Sequence, residues 1–139
     1  MPPKEYQGNC HCGLIKYTLT LPEALAPEGT GQIIRCNCSI CVKNGYYLVY
    51  PQISDVHFTP GSFEKMSSYL MGKKTKPHRF CPECSSSVLI DFSEAEDLPK
   101  EWNSLYAMNA ALFKDIDLER ASIKTTDGKN KLEPAYEEP

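Results

Sequence analysis

No apolar run in this sequence approaches the roughly 18 residues that a membrane-spanning helix requires. The opening Met1-Pro2-Pro3-Lys4-Glu5 also lacks the apolar core of a secretory leader. The expectation is a soluble, cytoplasmic protein with no membrane partner. Positive charge is in short supply as well: 15 Lys and Arg against 18 Asp and Glu leave a net charge of −3. Affinity for nucleic acid rests largely on neutralising phosphates with Lys and Arg, so no nucleic-acid partner is expected. The one basic cluster, Lys73-Lys74-Thr75-Lys76 followed by His78 and Arg79, is local and reads as a solvated turn. Helical periodicity is almost absent, and nothing repeats apart from short cysteine knuckles. At 139 residues the length is that of one domain able to bury its own core.

What is present instead is a succession of short strands with punctuated turns. From Leu14 to Leu21, Ile15, Tyr17, Leu19 and Leu21 alternate with more polar neighbours, the period of a half-buried strand. Pro22 to Gly31 carries two prolines, two glycines and two glutamates and reads as a surface loop. Gln32 to Arg35 is expected as a second strand, then a helical turn capped by Ser39 and stopped by Asn44-Gly45. Tyr46 to Tyr50 resumes as a strand. Val56 to Thr59, the turn Pro60-Gly61 and Phe63 to Leu70 suggest a hairpin. His78 to Phe80 runs into the C-x-x-C knuckle and Ser87 to Phe92 leaves it, and Asn103 to Asn109 is expected as the last strand. Ser93 to Glu101 reads as an exposed loop or short helix. From Asp127 the chain is mostly polar, so the domain is placed at residues 1–126 with a surface tail at 127–139. The fold class expected is mainly β, with sheets stapled by metal.

The staples are the seven cysteines. Seven is an odd number for a disulfide framework, and the thiols cluster as C-x-C, C-x-C-x-x-C and C-x-x-C, the spacing of metal ligands. A closed structural zinc takes four protein ligands, and a catalytic zinc keeps three with one open position. Four plus three therefore uses every thiol. Spacing alone leaves the grouping open: Cys38 and Cys41 with Cys81 and Cys84 would form a four-ligand ribbon, leaving Cys10, Cys12 and Cys36.

Gly8-Asn9-Cys10-His11-Cys12-Gly13 leads into a strand. It is followed by Cys36-Asn37-Cys38-Ser39-Ile40-Cys41 with Lys43 and Gly45, and by Arg79-Phe80-Cys81-Pro82-Glu83-Cys84. This series resembles the glutathione-dependent formaldehyde-activating enzyme family, also called the centromere-protein-V/formaldehyde-activating domain, from about residue 6 to about residue 110. The resemblance implies an Mss4-like, β-rich fold with two zinc ions per chain. One would be structural, on Cys10, Cys12, Cys81 and Cys84, and one catalytic, on Cys36, Cys38 and Cys41. It further implies a small thiol such as glutathione and a small aldehyde as partners. The family usually has glycine directly after the last cysteine, where this chain has Ser85. Ser85 is therefore expected to accept an unusual backbone, or the knuckle to bend differently.

Three thiolates leave a dipositive ion near −1, a weaker Lewis acid than a three-histidine site and a poor activator of water. A soft, sulfur-rich ion suits a substrate thiol held as thiolate, and hence carbon–sulfur bond formation or cleavage rather than hydrolysis. Tyr46 and Tyr47 follow the three-cysteine loop and are candidates for a substrate pocket wall, as is Tyr50; each would otherwise be core. His78 is a candidate acid or base, and Arg79, with the nearby lysines, a candidate clamp for a substrate carboxylate. His11 is expected to face outward and His57 to be structural. The competing readings are a non-catalytic zinc-stapled binding module, in which a histidine closes the three-cysteine set, and a zinc-ribbon nucleic-acid reader, which the acidic balance disfavours.

Overall fold

Residues 2–71, 74–131 and 136–139 are described by the computed structural model; Lys73 of the basic cluster lies outside them. Alternation dictates the first sheet. Strand β2 (Lys16–Leu21) buries Tyr17, Leu19 and Leu21 and turns Lys16 to solvent, the pattern its sequence demands. It pairs antiparallel with β1 (Lys4–Asn9) on one side and β5 (Val56–Phe58) on the other, making a three-stranded sheet. Gly8 lies directly opposite Tyr17, and any Cβ there would collide with the Tyr17 ring. Glycine is required at this point because the aromatic ring occupies the side-chain space.

The second sheet has seven strands in the order β10-β3-β4-β9-β8-β7-β6. They are β3 (Gln32–Cys36), β4 (Leu48–Val49), β6 (Ser67–Tyr69), β7 (His78–Phe80), β8 (Ser87–Asp91), β9 (Tyr106–Asn109) and β10 (Ser122–Thr126). Every neighbouring pair is antiparallel except β10 with β3, which is parallel. The central strands are apolar on both faces, as a doubly covered sheet requires. Val49, Leu89 and Met108 enter one cluster with Tyr6, Tyr17, Leu19 and Ile33, through which the two sheets pack. Their neighbours Leu48, Ile90 and Ala107 enter a second cluster on the opposite face, with Tyr46, Phe92 and Cys41. The first cluster also contains Cys10 and Cys81, whereas Cys36 and Cys38 pack against the second.

The protein is mainly β, as its periodicity predicts, with local differences. The hairpin suggested by Val56 to Leu70 does not form. Gly61 leads into a short helix, α2 (Ser62–Lys65), and β6 joins β7 in the larger sheet while β5 joins the smaller. Apolar Phe63 and Met66 anchor that crossing by packing into the inter-sheet cluster. Of the stretch Tyr46 to Tyr50, only Leu48 and Val49 are in β4. Asn103 to Asn109 is not the last strand, because β10 follows it and pairs with β3. Its side chains are largely exposed, so the core-directed alternation that marks other strands is missing.

Candidate metal centres and a neighbouring cleft

The three-cysteine loop is built at the junction of a strand and a helix. Cys36 ends β3, Cys38 holds the N-cap position of α1 (Ser39–Asn44), and Cys41 sits inside that helix, buried. Ser39, expected as the cap, is instead the first helical residue. Cys38 has the extended backbone of a cap, and its side chain makes no capping hydrogen bond. Gly45 ends the helix in the left-handed region at φ 64°, its N–H reaching the free carbonyls of Cys41 and Val42. The sulfurs of Cys36, Cys38 and Cys41 all lie within 4.8 Å of one another, and among the described residues no histidine or carboxylate joins them. Hydrogen bonding from Cys41 pulls the Cys38 thiol down to about 6, while the same contact and burial push Cys41 up. Three sulfurs this close cannot all lose their protons unless a cation offsets the charge.

The other four thiols converge from chain segments far apart in sequence. The sulfurs of Cys10, Cys12, Cys81 and Cys84 also lie within 4.8 Å of one another. Cys12 Sγ is 3.7 Å from both Cys10 Sγ and Cys81 Sγ. A tetrahedron of zinc–sulfur bonds of about 2.3 Å has edges of about 3.8 Å, so the donor set fits zinc in both chemistry and spacing. Backbone N–H groups of Ile15 and Cys84 donate to the sulfurs of Cys10 and Cys81, at 3.2 and 3.5 Å. Donors of this kind favour the thiolate form that a metal needs. His11 N–H donates to Ser86 Oγ, joining the two knuckles, and the His11 residue itself is exposed. Ser85 adopts φ 64°, the left-handed backbone that glycine takes most readily.

A cleft of about 190 Å³ opens beside α1 and the second knuckle, lined by neighbours of the thiols rather than by the thiols themselves. It is lined by Ile40 and Asn44 of α1, Ser85 of the second knuckle, Ser87 of β8, and Tyr46, Tyr69, His78, Arg79 and Phe80. Ile40 and Tyr46 also belong to the cluster around the three cysteines. Tyr46 Oη and His78 Nδ1 are 2.9 Å apart, and Asn44 Nδ2 donates to the same phenol oxygen at 3.2 Å. Burial, helped by Lys76, lowers His78 from 6.5 to about 4, so the ring is neutral at pH 7; burial pushes Tyr46 up to about 12.

The four substrate-pocket candidates thus separate. Tyr46 and His78 reach the cleft as a bonded pair. Arg79 also lines it, but its guanidinium is engaged by Asp91 through Nε and an Nη at 3.3 and 3.0 Å and by Ser68 through the other Nη, leaving little charge for a substrate carboxylate. Tyr47 packs against the inter-sheet cluster instead, with the Arg35 guanidinium 4.2 Å above its ring. Tyr50 stacks on Phe92 and meets Trp102 edge-on in the second cluster. His57 is exposed on β5. The sequence reading missed Ser87 and Asn44 as cleft residues. Asn44 carried only the signal of a helix stop, and Ser87 only that of a strand start.

The model of the family described as glutathione-dependent formaldehyde-activating enzyme matches residues 5–115, which include all seven cysteines. The chain belongs to that family. Membership supports glutathione-dependent formaldehyde activation as the coarse activity of its members, with glutathione and formaldehyde as small-molecule partners. No curated protein matches. Among solved structures, a crystal structure of a Rhodobacter sphaeroides protein is similar, at a TM-score of 0.66 and 23% identity, covering 86% of this chain and 99% of that one. That likeness concerns the fold alone. No helix among the described residues is long and apolar enough to cross a membrane.

Proposed function

We propose that this protein joins glutathione, or a similar small thiol, to formaldehyde or another small aldehyde, or cleaves the carbon–sulfur bond of the adduct in the reverse direction. The fold in which it does so is read as Mss4-like. The observation that carries the proposal is the unequal number of donors, four thiols in one group and three in the other. Cys10, Cys12, Cys81 and Cys84 would hold a structural zinc, and Cys36, Cys38 and Cys41 a second zinc with one position left open. Zinc bound to three sulfurs supplies a soft position that stabilises a substrate thiol as its thiolate and acidifies water only weakly.

The reaction itself needs no oxidant or reductant. A sulfur–carbon bond forms at the aldehyde carbon, the carbonyl π pair moves to oxygen, and the proton lost by the thiol ends on that oxygen as a hydroxyl. The chain's own residues handle orientation. The side chains of Ile40 and Phe80 give the cleft apolar walls, and Asn44, Ser85 and Ser87 offer donors and acceptors suited to a peptide-like thiol. Asn44 Nδ2 donates to the Tyr46 oxygen, which also lies 2.9 Å from His78 Nδ1. The neutral His78 keeps that hydroxyl oriented at the cleft wall rather than supplying an imidazolium proton.

The test is a panel of thiols against aldehydes on the purified protein, combined with a zinc count and X-ray absorption of the metal shell. Two zinc ions per chain, consumption of glutathione with formaldehyde, and exchange of a light ligand for sulfur on adding thiol are expected. No turnover of any pair, together with a shell that thiols leave unchanged, would return the protein to the class of zinc-stapled binding modules.

A further inference from the structure

Two of the three loop cysteines are fixed by regular structure: Cys36 by its place in β3 and Cys41 by α1. Between them the chain turns from strand to helix at Asn37, an exposed residue. It is held instead from the far end of the chain. The Asn37 N–H donates to Thr126 O at 3.1 Å, and Asn37 Nδ2 donates to Asp127 Oδ1 at 3.0 Å. The N–H of Lys129 donates to Asn37 Oδ1 at 2.9 Å. Both hydrogen-bonding ends of the Asn37 amide are thus engaged, and its backbone is bonded as well. Asp127 is itself braced, accepting from the Asn130 amide nitrogen at 3.1 and 3.0 Å. Immediately upstream, β10 pairs in parallel with β3, Thr126 opposite Cys36. All of these partners lie beyond residue 115, where the family match ends.

We propose that Ser122–Asn130 is a positioning clamp for the three-cysteine loop, with Asn37 and Asp127 as its working pair. The proposal rests on the reading of Cys36, Cys38 and Cys41 as a metal site. Three ligands drawn from six consecutive residues bind an ion well only if the loop between them is already shaped, since otherwise its ordering opposes binding. Among the described residues no hydrogen bond joins Ser122–Asn130 to either knuckle of the four-thiol group, whose sulfurs are bonded from Ile15 and Cys84 instead. The clamp therefore acts on one ion and not the other. It also draws the first residues of the polar tail, Asp127 and Lys129, into the working domain.

The experiment uses the full-length, zinc-loaded protein and a competing chromophoric chelator, with zinc release followed at equilibrium and melting followed by circular dichroism. The wild type should release zinc in two steps, and Cys38→Ser should lack the weaker one. Asp127→Ala and Asn37→Ala should weaken that step about tenfold, the low end for residues that orient metal ligands, and leave the tighter step in place. Asp127→Asn, which keeps the acceptor oxygen for Asn37, should restore the wild-type value. Unchanged affinity in both alanine variants overturns the clamp, as does a parallel shift of both steps and of melting. A wild type that yields a single zinc step overturns the metal-site reading beneath it, an outcome distinct from either.

Discussion

Tyr46 and His78 stack at 22° with ring centroids 5.9 Å apart, and the phenol oxygen of one lies 2.9 Å from Nδ1 of the other. The pair joins the segment after α1 to β7, and so ties the flank of the three-cysteine loop to the strand that runs into Cys81. Both residues are buried, at 1% and 5% exposure, which is why the imidazole stays uncharged.

That burial gives stability an acid-side dependence. Folding lowers His78 from 6.5 to about 4, chiefly by desolvation and then by Lys76. Between those values the unfolded chain binds the proton and the folded chain does not, so stability is full above pH 6.5 and falls as pH drops toward 4. The linkage amounts to about 3 kcal/mol across the window. His78→Gln should lose this slope. The quantity to measure is the wild-type unfolding free energy minus that of the variant, from pH 8 to pH 4; a difference that stays constant would refute the assignment.

The two thiol groups should differ in what their loss does. Cys12 and Cys81 are 69 positions apart, so the four-thiol set ties distant parts of the fold together. A structural zinc contributes on the order of 10 kcal/mol of apparent binding free energy, more than a marginal domain can lose. Cys84→Ser is expected to give insoluble or molten protein. Cys38→Ser should fold, keep one zinc per chain and lose thiol-dependent activity. Equal collapse of both variants in circular dichroism would mean that both groups are structural.

Ser85 stands at φ 64° immediately after Cys84. An L-residue there bears a cost of about 1 kcal/mol that glycine does not, and glycine's own added freedom in the unfolded chain offsets part of it. Ser85→Gly should raise the melting temperature slightly and leave zinc content unchanged. A fall in stability would show that the bond from Ser85 Oγ to Cys84 O, 2.6 Å long, outweighs the backbone preference.

Gly8→Ala should be destabilising by roughly 1–3 kcal/mol, the range for overpacking, because its methyl would enter the space of the Tyr17 ring. Tyr17 has a buried hydroxyl with no hydrogen-bond partner among the described residues, so Tyr17→Phe should cost nothing or stabilise. Combining Gly8→Ala with Tyr17→Leu should recover part of the loss, as a denaturant-unfolding cycle would show. Simple additivity would mean that the ring is not the obstacle.

Local physics made much of this protein legible from its residues. Alternation at Tyr17, Leu19 and Leu21 identified a half-buried strand, Asn44-Gly45 stopped a helix, and the odd count and spacing of the cysteines pointed to metal ligands rather than a disulfide framework. At Ser85 the resemblance to the family left two alternatives, an unusual backbone or a differently bent knuckle, and the left-handed φ of 64° is the first of them. Which thiols meet was another matter. Spacing allowed Cys38 and Cys41 to join Cys81 and Cys84, and the fold excludes it because alternate residues of the seven-stranded sheet face opposite clusters, with Cys36, Cys38 and Cys41 on one and Cys10, Cys81 and Cys84 on the other. The hairpin failed because its two segments found better partners in different sheets, a choice no local pattern records. Strand β10 escaped notice because an exposed edge strand buries little and so leaves no alternation to read. Its parallel pairing with β3, and the capture of Asn37 by Asp127 and Lys129, depend on residues about 90 positions apart, whose approach is decided only when the whole sheet forms.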